Sequence, residues 1–199
     1  MNAVDAAAEL TVGSEADSLG GHPALDLLNT VQQLDGRAVD LWQTDADVGQ
    51  WLVRHGFAEA SALPVISKTA LLDVARDLRE TARANILERM AARAPDVSRL
   101  NVYLAHARRH TELVTNEQGG LSLAERYARN TAEQILAPLA ESVARLLSEP
   151  DFSLVKQCAS ADCTLCFYDR TKAHRRRWCS MALCGNRQKV KAFRQRQSA

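Results

Sequence analysis

The sequence predicts a mainly α-helical protein in two parts: a helical N-terminal domain with a small β-hairpin, and a small C-terminal domain organised by cysteines. Three observations support this fold class. Apolar residues recur at helical spacing through most of residues 21–150. All five cysteines lie in the last 42 residues. The net charge also changes sign close to Pro150.

The charge is distributed very unevenly along the chain. The whole chain of 199 residues has a formal net charge of +1, which by itself indicates no partner. Residues 151–199 contain eleven Lys or Arg and three Asp, a net charge of +8, whereas residues 1–150 contain 14 basic and 21 acidic residues, a net charge of −7. Such an asymmetry is typical of a polyanion-binding part. It also leads to the hypothesis that the acidic part masks the basic part.

The first twenty residues are predicted to be a loose acidic leader. Residues 1–20 contain four acidic residues and no basic one, so they lack the charged start and apolar run of a signal peptide. We find no apolar run of the roughly 18–20 residues that a membrane helix requires. The prediction is therefore a cytoplasmic protein without a membrane partner, in a compartment where clustered thiols more often hold metal than form disulfides.

Two helices are predicted after the Gly20-Gly21 break. Residues 24–34 are the first, because Pro23 suits a first turn and apolar residues recur at helical spacing. Thr44 is the predicted N-cap of the second, which ends near Gly56. Asp45 and Asp47 lie in its first turn, where the helix dipole favours negative charge. Its predicted buried face contains Val48, Trp51 and Leu52.

Four further elements, three helices and one hairpin, complete the predicted helical domain. The clearest apolar stripe begins near Ser67 and runs to about Ala94, and a shorter helix follows Pro95. Residues 111–116 and 121–123 flank a Glu-Gln-Gly-Gly turn and predict the hairpin. A last helix is predicted over residues 123–147, with Pro138 marking a kink or a junction.

No catalytic motif is visible in the helical domain. Its four histidines are scattered, and we find no Gly-rich phosphate loop, nucleophile elbow or zinc-protease helix. The prediction is therefore that the protein is not an enzyme. A small-molecule effector site and a homodimer interface remain hypotheses for this domain.

Four cysteines form two equally spaced pairs, Cys158-x4-Cys163 and Cys179-x4-Cys184, with fifteen residues between the pairs. Four thiolates that arrive as two local pairs suit tetrahedral Zn²⁺. Four protein sulfurs leave no open coordination position, so one structural zinc ion is predicted rather than a hydrolytic one. Metal binding can also supply folding energy that a small basic segment lacks.

Cys166 leaves an alternative open. Cys163-x2-Cys166 is itself a legitimate zinc pair, so Cys166 could replace Cys158 as a ligand. His174 is a further candidate ligand. The favoured interpretation is that Cys166 is a small buried apolar residue beside Phe167.

A basic helix is predicted from Ser180 onward. Leu183, Val190 and Phe193 share one apolar face, which is expected to pack on the cysteine knuckle. A knuckle followed by a helix that carries the second ligand pair is a treble-clef-like zinc finger. The side chains predicted to contact nucleic acid are Arg175, Arg176, Arg177, Asn186, Arg187, Lys189, Lys191, Arg194 and Arg196.

Two of these residues are candidate base readers. Arg187 and Asn186 have the side chains that read guanine and adenine edges in a major groove. The alternative for Asn186 is a place in the helix start, with the surrounding charges merely solvating one face. Tyr168 and Trp178 are candidate stacking surfaces if the partner is RNA, and finger core otherwise.

The cysteine-rich part resembles a known family. Residues 176–187, with the sequence RRWCSMALCGNR, closely resemble the signature of CGNR zinc-finger proteins, and Cys158-x4-Cys163 and residues 167–171 fit the same pattern. Residues 25–30 and the Trp51-Leu52 pair look like the ABATE-type helical domain that accompanies this finger. The resemblance spans nearly the whole chain and is most specific over residues 158–196.

The resemblance implies a bacterial transcriptional regulator of a kind described as stress-induced. It implies a regulatory domain over residues 21–150, a DNA-binding finger over residues 151–199, and the zinc ligands Cys158, Cys163, Cys179 and Cys184. DNA is therefore the predicted partner. The alternative is a zinc-stabilised module that binds RNA or another protein without sequence-specific DNA binding.

Overall fold

Six helices and three two-stranded antiparallel hairpins make up the described chain. The structure is a computed structural model that describes residues 18–34, 37–59, 70–115 and 118–197. Most of the predicted acidic leader lies outside these residues. The helices are α1 Pro23–Leu28, α2 Asp45–Arg54, α3 Ala70–Met90, α4 Ser98–Ala105, α5 Ala132–Leu147 and α6 Asn186–Gln197. The strands are β1 Val31–Leu34, β2 Arg37–Asp40, β3 Arg109–Thr115, β4 Leu121–Tyr127, β5 Val155–Gln157 and β6 Cys166–Tyr168.

The main core lies where α1 packs between α3 and α5. Five of the six residues of α1 are buried, so this short helix is surrounded by apolar side chains. The buried stripes of α3 and α5 follow helical spacing, as expected for helices with one face in a core. The large side chains with almost no exposure include Leu27, Leu78, Ile86, Ile135 and Leu139. The mainly α fold class is confirmed.

The first predicted helix is too long. It ends at Leu28, and Val31–Leu34 forms β1, which pairs with β2 in the register Val31↔Asp40 to Leu34↔Arg37. The hydroxyl of Thr30 donates to the carbonyl oxygen of Leu27 at 2.7 Å, which closes the last turn locally. Apolar spacing alone could not separate a helix from a short strand here.

The second helix agrees with its prediction at both ends. Thr44 and Asp47 form a reciprocal capping box, in which the Asp47 backbone donates to the Thr44 hydroxyl and Asp47 Oδ2 accepts from the Thr44 backbone. Gly56 follows the helix with φ of +73°, a left-handed conformation that glycine adopts without steric cost.

The predicted boundaries of the next two helices shift by a few residues. The predicted start of α3 at Ser67 lies outside the described residues, and α3 ends at Met90 rather than Ala94. Ala92 after it has φ of +55°, which ends the helical path. The Ser98 backbone N–H donates to Asp96 at the start of α4.

The predicted β-hairpin is present and longer than expected, with strands β3 and β4 in the register Arg109↔Tyr127 to Thr115↔Leu121. The prediction that residues 123–131 begin the last helix is wrong. Residues 123–127 belong to β4, and α5 begins after Thr131, whose hydroxyl accepts from the Gln134 backbone at 3.3 Å. Pro138 lies inside α5, so it does not mark a junction between helices.

The cysteine-rich part has little regular structure before its helix. A 3₁₀ turn over Phe152–Leu154 leads into β5, which pairs with β6. A five-residue π turn over Met181–Gly185 leads into α6. Within the described residues, no helix is long and apolar enough to cross a membrane.

Candidate metal centre and nucleic-acid interface

Four cysteine sulfur atoms form one cluster. The Sγ atoms of Cys158, Cys163, Cys179 and Cys184 all lie within 4.8 Å of one another. The Sγ of Cys179 is 3.7 Å from that of Cys163 and 3.6 Å from that of Cys184. A tetrahedral site with zinc–sulfur bonds of about 2.3 Å has sulfur–sulfur edges of about 3.8 Å. The four cysteines are therefore positioned to bind one zinc ion.

Two tight turns deliver the cysteines in pairs. Cys158 follows β5, and its backbone N–H donates to the carbonyl oxygen of Leu165 at 2.9 Å. The backbone N–H of Cys163 donates to the carbonyl oxygen of Ser160 at 3.0 Å. In the second pair, Ser180 caps the π turn by accepting from the Leu183 backbone at 3.3 Å. The chain then reaches Cys184 with its sulfur facing Cys179.

Burial and hydrogen bonds among the four thiols shift their pKa values. Hydrogen bonding from Cys179 lowers the pKa of Cys163 to about 5, since the neighbouring thiols donate to its thiolate. The same proximity raises the pKa of Cys179 far above its usual range. Burial raises the pKa of Cys184 to about 11. A divalent cation would replace these shared protons, because zinc binds thiolates.

Cys166 and His174 lie outside the sulfur cluster. Cys166 is 3% exposed and belongs to the core of the helical part, and burial raises its pKa to about 11. His174 places its Nδ1 3.2 Å from the carbonyl oxygen of Asp169. The structure thus agrees with the favoured interpretation of Cys166 as a buried apolar residue, and it separates His174 from the cysteine ligand set.

A buried carboxylate, Asp169, organises the loop before the second cysteine pair. Its oxygens accept from Lys156 Nζ at 2.7 Å, from the Thr171 hydroxyl at 2.6 Å and from the Arg176 backbone at 2.9 Å. Burial opposes ionisation of Asp169, but these donors outweigh it and hold its pKa well below the usual range. The side chain has no exposed surface. Asp169 therefore fixes the path of residues 170–176.

Arg176 has a structural role that its place in the basic run does not indicate. Its Nε donates to the Trp178 carbonyl at 2.9 Å, and a terminal nitrogen donates to the carbonyl oxygens of Cys179 and Leu19. The guanidinium also lies over the Phe167 ring at 4.3 Å. Nε and one terminal nitrogen of Arg176 therefore support the cysteine knuckle, and contact with nucleic acid stays a prediction for this residue.

The apolar face of α6 does not pack on the knuckle, contrary to the prediction. Leu183 is 52% exposed, Val190 49% and Phe193 56%. The helix is attached by another side, where Gln188 donates to the Ser160 hydroxyl at 2.9 Å. With 3.6 residues per turn, Gln188 and Val190 point in opposite directions. The side chains that pack around the sulfurs are instead Leu165, Phe167, Leu19 and Trp178.

The other predicted nucleic-acid contacts lie on the surface of the finger. The exposed residues of this set are Arg175, Arg177, Asn186, Arg187, Lys189, Lys191, Arg194 and Arg196. The Arg177 guanidinium lies 5.0 Å from the centre of the Trp178 ring. This pair borders a cavity of about 470 Å³, whose lining also includes Thr171, Arg175 and Met181. Asn186 is the first residue of α6, so its helix-start alternative agrees with the structure.

The finger is joined to the helical part by an interface that sequence reasoning missed. Asn29 Nδ2 donates to the Cys166 carbonyl at 2.9 Å, and the Cys166 backbone N–H donates to Asn29 Oδ1 at 2.9 Å. The Tyr168 backbone donates to the Gly20 carbonyl at 2.7 Å. The Gly20 backbone in turn donates to Asp26 Oδ1 at 2.8 Å. The available signal was two polar residues, Asp26 and Asn29, inside an apolar segment.

Gly20 is required at this interface by close backbone approach. A Cβ at this position would lie 2.9 Å from the backbone nitrogen of Asp26, which real Cβ atoms essentially never do. Phe152, Val155 and Cys166 also belong to the core formed by α1, α3 and α5. The finger hairpin is therefore packed on the helical part rather than tethered to it.

The helical part contains one cavity of interest for the effector hypothesis. It measures about 480 Å³ and its lining includes Asp77, Arg99 and Tyr103. Arg99 and Tyr103 both bind Asp77, with Arg99 Nε 3.1 Å from Asp77 Oδ2 and the Tyr103 hydroxyl donating to the same carboxylate. A small-molecule effector and a homodimer therefore stay predictions.

Comparisons with known proteins agree with this architecture. The ABATE family, described as "Putative stress-induced transcription regulator", matches residues 21–150, and the CGNR zinc finger matches residues 155–197. These descriptions refer to regulation and to a zinc finger rather than to an enzymatic activity. A comparison with curated proteins finds no match. The chain belongs to the ABATE family and carries a C-terminal CGNR zinc finger.

Proposed function

We propose that this protein is a zinc-dependent, DNA-binding transcriptional regulator whose finger contacts duplex DNA. The observation that carries the proposal is the attachment of α6. The helix is held by Cys184, Gly185 and Gln188, and its opposite side is exposed. It carries five basic and no acidic residues over Asn186–Gln197.

The exposed side of α6 has the chemistry of a major-groove reader. Arg187 and Asn186 at its start can pair with guanine and adenine edges. Val190 and Phe193 are exposed and can contact thymine methyl groups. Arg175 and Arg177 precede the helix on the exposed surface and suit phosphate contacts.

Bound zinc would crosslink the two turns and neutralise part of the thiolate charge. Cys158, Cys163, Cys179 and Cys184 would hold it, since their sulfurs all lie within 4.8 Å of one another. In this proposal the helical part is the regulatory or dimerising part. Because the helical part packs directly on β6, a change in its structure can alter the position of the finger.

The test is the salt dependence of binding between the zinc-loaded protein and duplex DNA. Affinity should fall with a log–log slope of about −0.9 per phosphate neutralised. Replacing Arg187, Lys191 and Arg194 by Gln should make this slope shallower by about 0.9 for each side chain that contacts a phosphate. The matched control, Arg37, Arg93 and Arg145 to Gln, removes the same charge from exposed sites in the helical part. No binding to duplex DNA at low salt would contradict the proposal.

A second candidate function is an RNA-binding module, favoured by the surroundings of Trp178. The half-buried indole borders the 470 Å³ cavity together with exposed arginines. Aromatic and guanidinium planes stack on the unpaired bases of RNA loops. Competition between duplex DNA and a structured RNA separates the two candidates. A preference for RNA that Trp178→Ala abolishes would select the second.

A further inference from the structure

The outward side of α6 is an apolar surface without a described partner. We call Leu183 of the π turn and Val190 and Phe193 of α6, with the flanking Arg187 and Lys191, the outer face of α6. The three apolar side chains are about half exposed. Among the described elements, α6 contacts chiefly the π turn that precedes it. An occupant of this face needs apolar side chains and negative charge.

A second copy of α6 does not meet this requirement. Each copy would bring five positive charges and no negative one, and like charges at an interface are repelled. Residues 1–17 of this chain do meet it. They contain Asp5, Glu9, Glu15 and Asp17 and no basic side chain, and Val4, Leu10 and Val12 lie among the acidic residues.

The described chain begins beside the finger. Leu19 packs against the cluster that contains Cys179 and Cys184, and its carbonyl oxygen accepts from Arg176 at 3.3 Å. Residues 1–17 therefore leave the described structure close to the start of α6. Seventeen extended residues reach at most roughly 60 Å, whereas the twelve residues of α6 span roughly 18 Å.

We propose that residues 1–17 bind the outer face of α6 and compete with DNA for it. The proposal rests on the proposed function, since the competitor acts on the DNA-reading helix. The carboxylates of the segment would take the place of DNA phosphates beside Arg187 and Lys191. Val4, Leu10 and Val12 would cover Leu183, Val190 and Phe193. In this proposal residues 1–17, rather than the whole acidic part of the chain, mask the basic helix.

The expected size of the effect follows from tethering. A segment attached by a short linker has an effective concentration in the millimolar range. If its own Kd for α6 is about 0.1 mM, the apparent DNA affinity falls about tenfold. Salt screens exposed charges, so the inhibition should weaken as the salt concentration rises.

The test uses the full-length, zinc-loaded protein with its acidic segment neutralised. The variant carries Asp5→Asn, Glu9→Gln, Glu15→Gln and Asp17→Asn. Its affinity for a fluorescein-labelled duplex of mixed sequence should rise about tenfold at low salt. In the absence of DNA, amide hydrogen exchange in α6 should become faster, because the helix loses its cover.

A matched control separates docking from a simple change in net charge. It replaces two Asp and two Glu at exposed positions of the helical part, namely Asp73→Asn, Asp96→Asn, Glu125→Gln and Glu149→Gln. This control has the same net charge as the test variant. It should bind DNA much more weakly than the test variant does, and it should leave exchange in α6 unchanged.

The two measurements fail in different ways. Equal exchange in α6 for the wild type and the test variant would overturn the docking of residues 1–17. Faster exchange without a gain in DNA affinity, in a protein that binds DNA, would overturn the competition. If neither protein binds duplex DNA, the proposed function fails, and the exchange measurement still decides whether the segment covers α6.

Discussion

The helical part and the finger hold themselves together by different means. In the helical part, α1, α3 and α5 bury continuous apolar stripes, and burial of a large aliphatic side chain contributes about 1.5–3 kcal/mol. The cluster around the finger sulfurs has only two fully apolar buried side chains, Leu165 and Phe167, beside the cysteines. Sulfur ligands, the Asp169 network and packing on α1 supply the remainder. From this comparison we expect the finger to depend on a bound ion and on its contact with α1.

Removing the metal should have the largest effect and should act on the finger alone. Structural zinc sites contribute about 10–16 kcal/mol of apparent binding energy in small fingers. Cys179→Ser, or treatment with a chelator, should therefore unfold residues 155–197 and leave α1, α3 and α5 folded. Residue-resolved amide exchange checks this difference. Cys166→Ala is the control, because its sulfur lies outside the cluster and one zinc ion per chain should be retained.

An ion pair in the helical part should be sensitive to substitution and to acid. Asp40 accepts two hydrogen bonds from Arg79, at 2.8 and 2.7 Å, and the Arg79 side chain is 4% exposed. Asp40→Asn removes the carboxylate that accepts both bonds and leaves this buried cation with the exposed Glu80, so it should cost about 3 kcal/mol in the free energy of unfolding. Glu88→Gln, at the exposed pair with Arg93, is the control and should change it little.

The pH dependence of this difference follows from the pKa of Asp40. Burial opposes ionisation of Asp40, but hydrogen bonds from Arg79 and the Trp42 backbone outweigh it and lower the pKa. A lowered folded-state pKa gives stability that is present above the unfolded pKa of about 3.9 and is lost as the pH falls towards the folded value. Denaturation curves should show a constant gap between wild type and Asp40→Asn down to about pH 5. A gap that widened in acid would contradict this.

Breaking the link between the two parts should have a smaller effect. Asn29→Ala removes both hydrogen bonds to the Cys166 backbone and should cost about 2 kcal/mol, since it leaves buried polar groups unpaired. Asn29→Asp keeps the acceptor for the Cys166 N–H and should cost less. Calorimetry of the zinc-loaded Ala variant should resolve the finger and the helical part as separate transitions. One unshifted transition would show that the link carries no coupling.

The smallest effect is expected on the outer face of α6. Phe193 is 56% exposed, so Phe193→Ser should change the free energy of unfolding by less than about 0.5 kcal/mol. Phe167 is fully buried beneath the Arg176 guanidinium, and Phe167→Ser should cost more than about 3 kcal/mol. Equal costs for the two substitutions in a denaturant series would mean that α6 packs on the knuckle after all.

Local chemistry made some features predictable from the sequence alone. The cap at Thr44, the stop at Gly56 and the two cysteine pairs each depend on residues close together in the chain. The spacing of apolar residues did not predict the structure correctly where one pattern fits both a strand and a helix. Leu121–Tyr127 alternates as a strand although residues 123–147 contain a helical apolar pattern, and only its pairing with β3 decides between them.

Long-range contacts were beyond such reasoning. Asn29 and Cys166 are 137 residues apart, so nothing local indicates their paired hydrogen bonds. The role of Arg176 was hidden for a related reason: a run of arginines predicts an electrostatic surface, and only the fold shows that one of them points inward to the Phe167 ring. The orientation of α6 depended on which side chains already filled the small finger core.

The attachment of β6 to α1 has a geometric consequence for any assembly of this protein. Because β6 is packed on the helical part through Cys166 and Tyr168, the finger that carries α6 is held beside α1. Two chains that pair through their helical parts would hold their α6 helices at one fixed distance and angle. If the proposed DNA binding holds, the helical part would then determine the spacing between DNA half-sites.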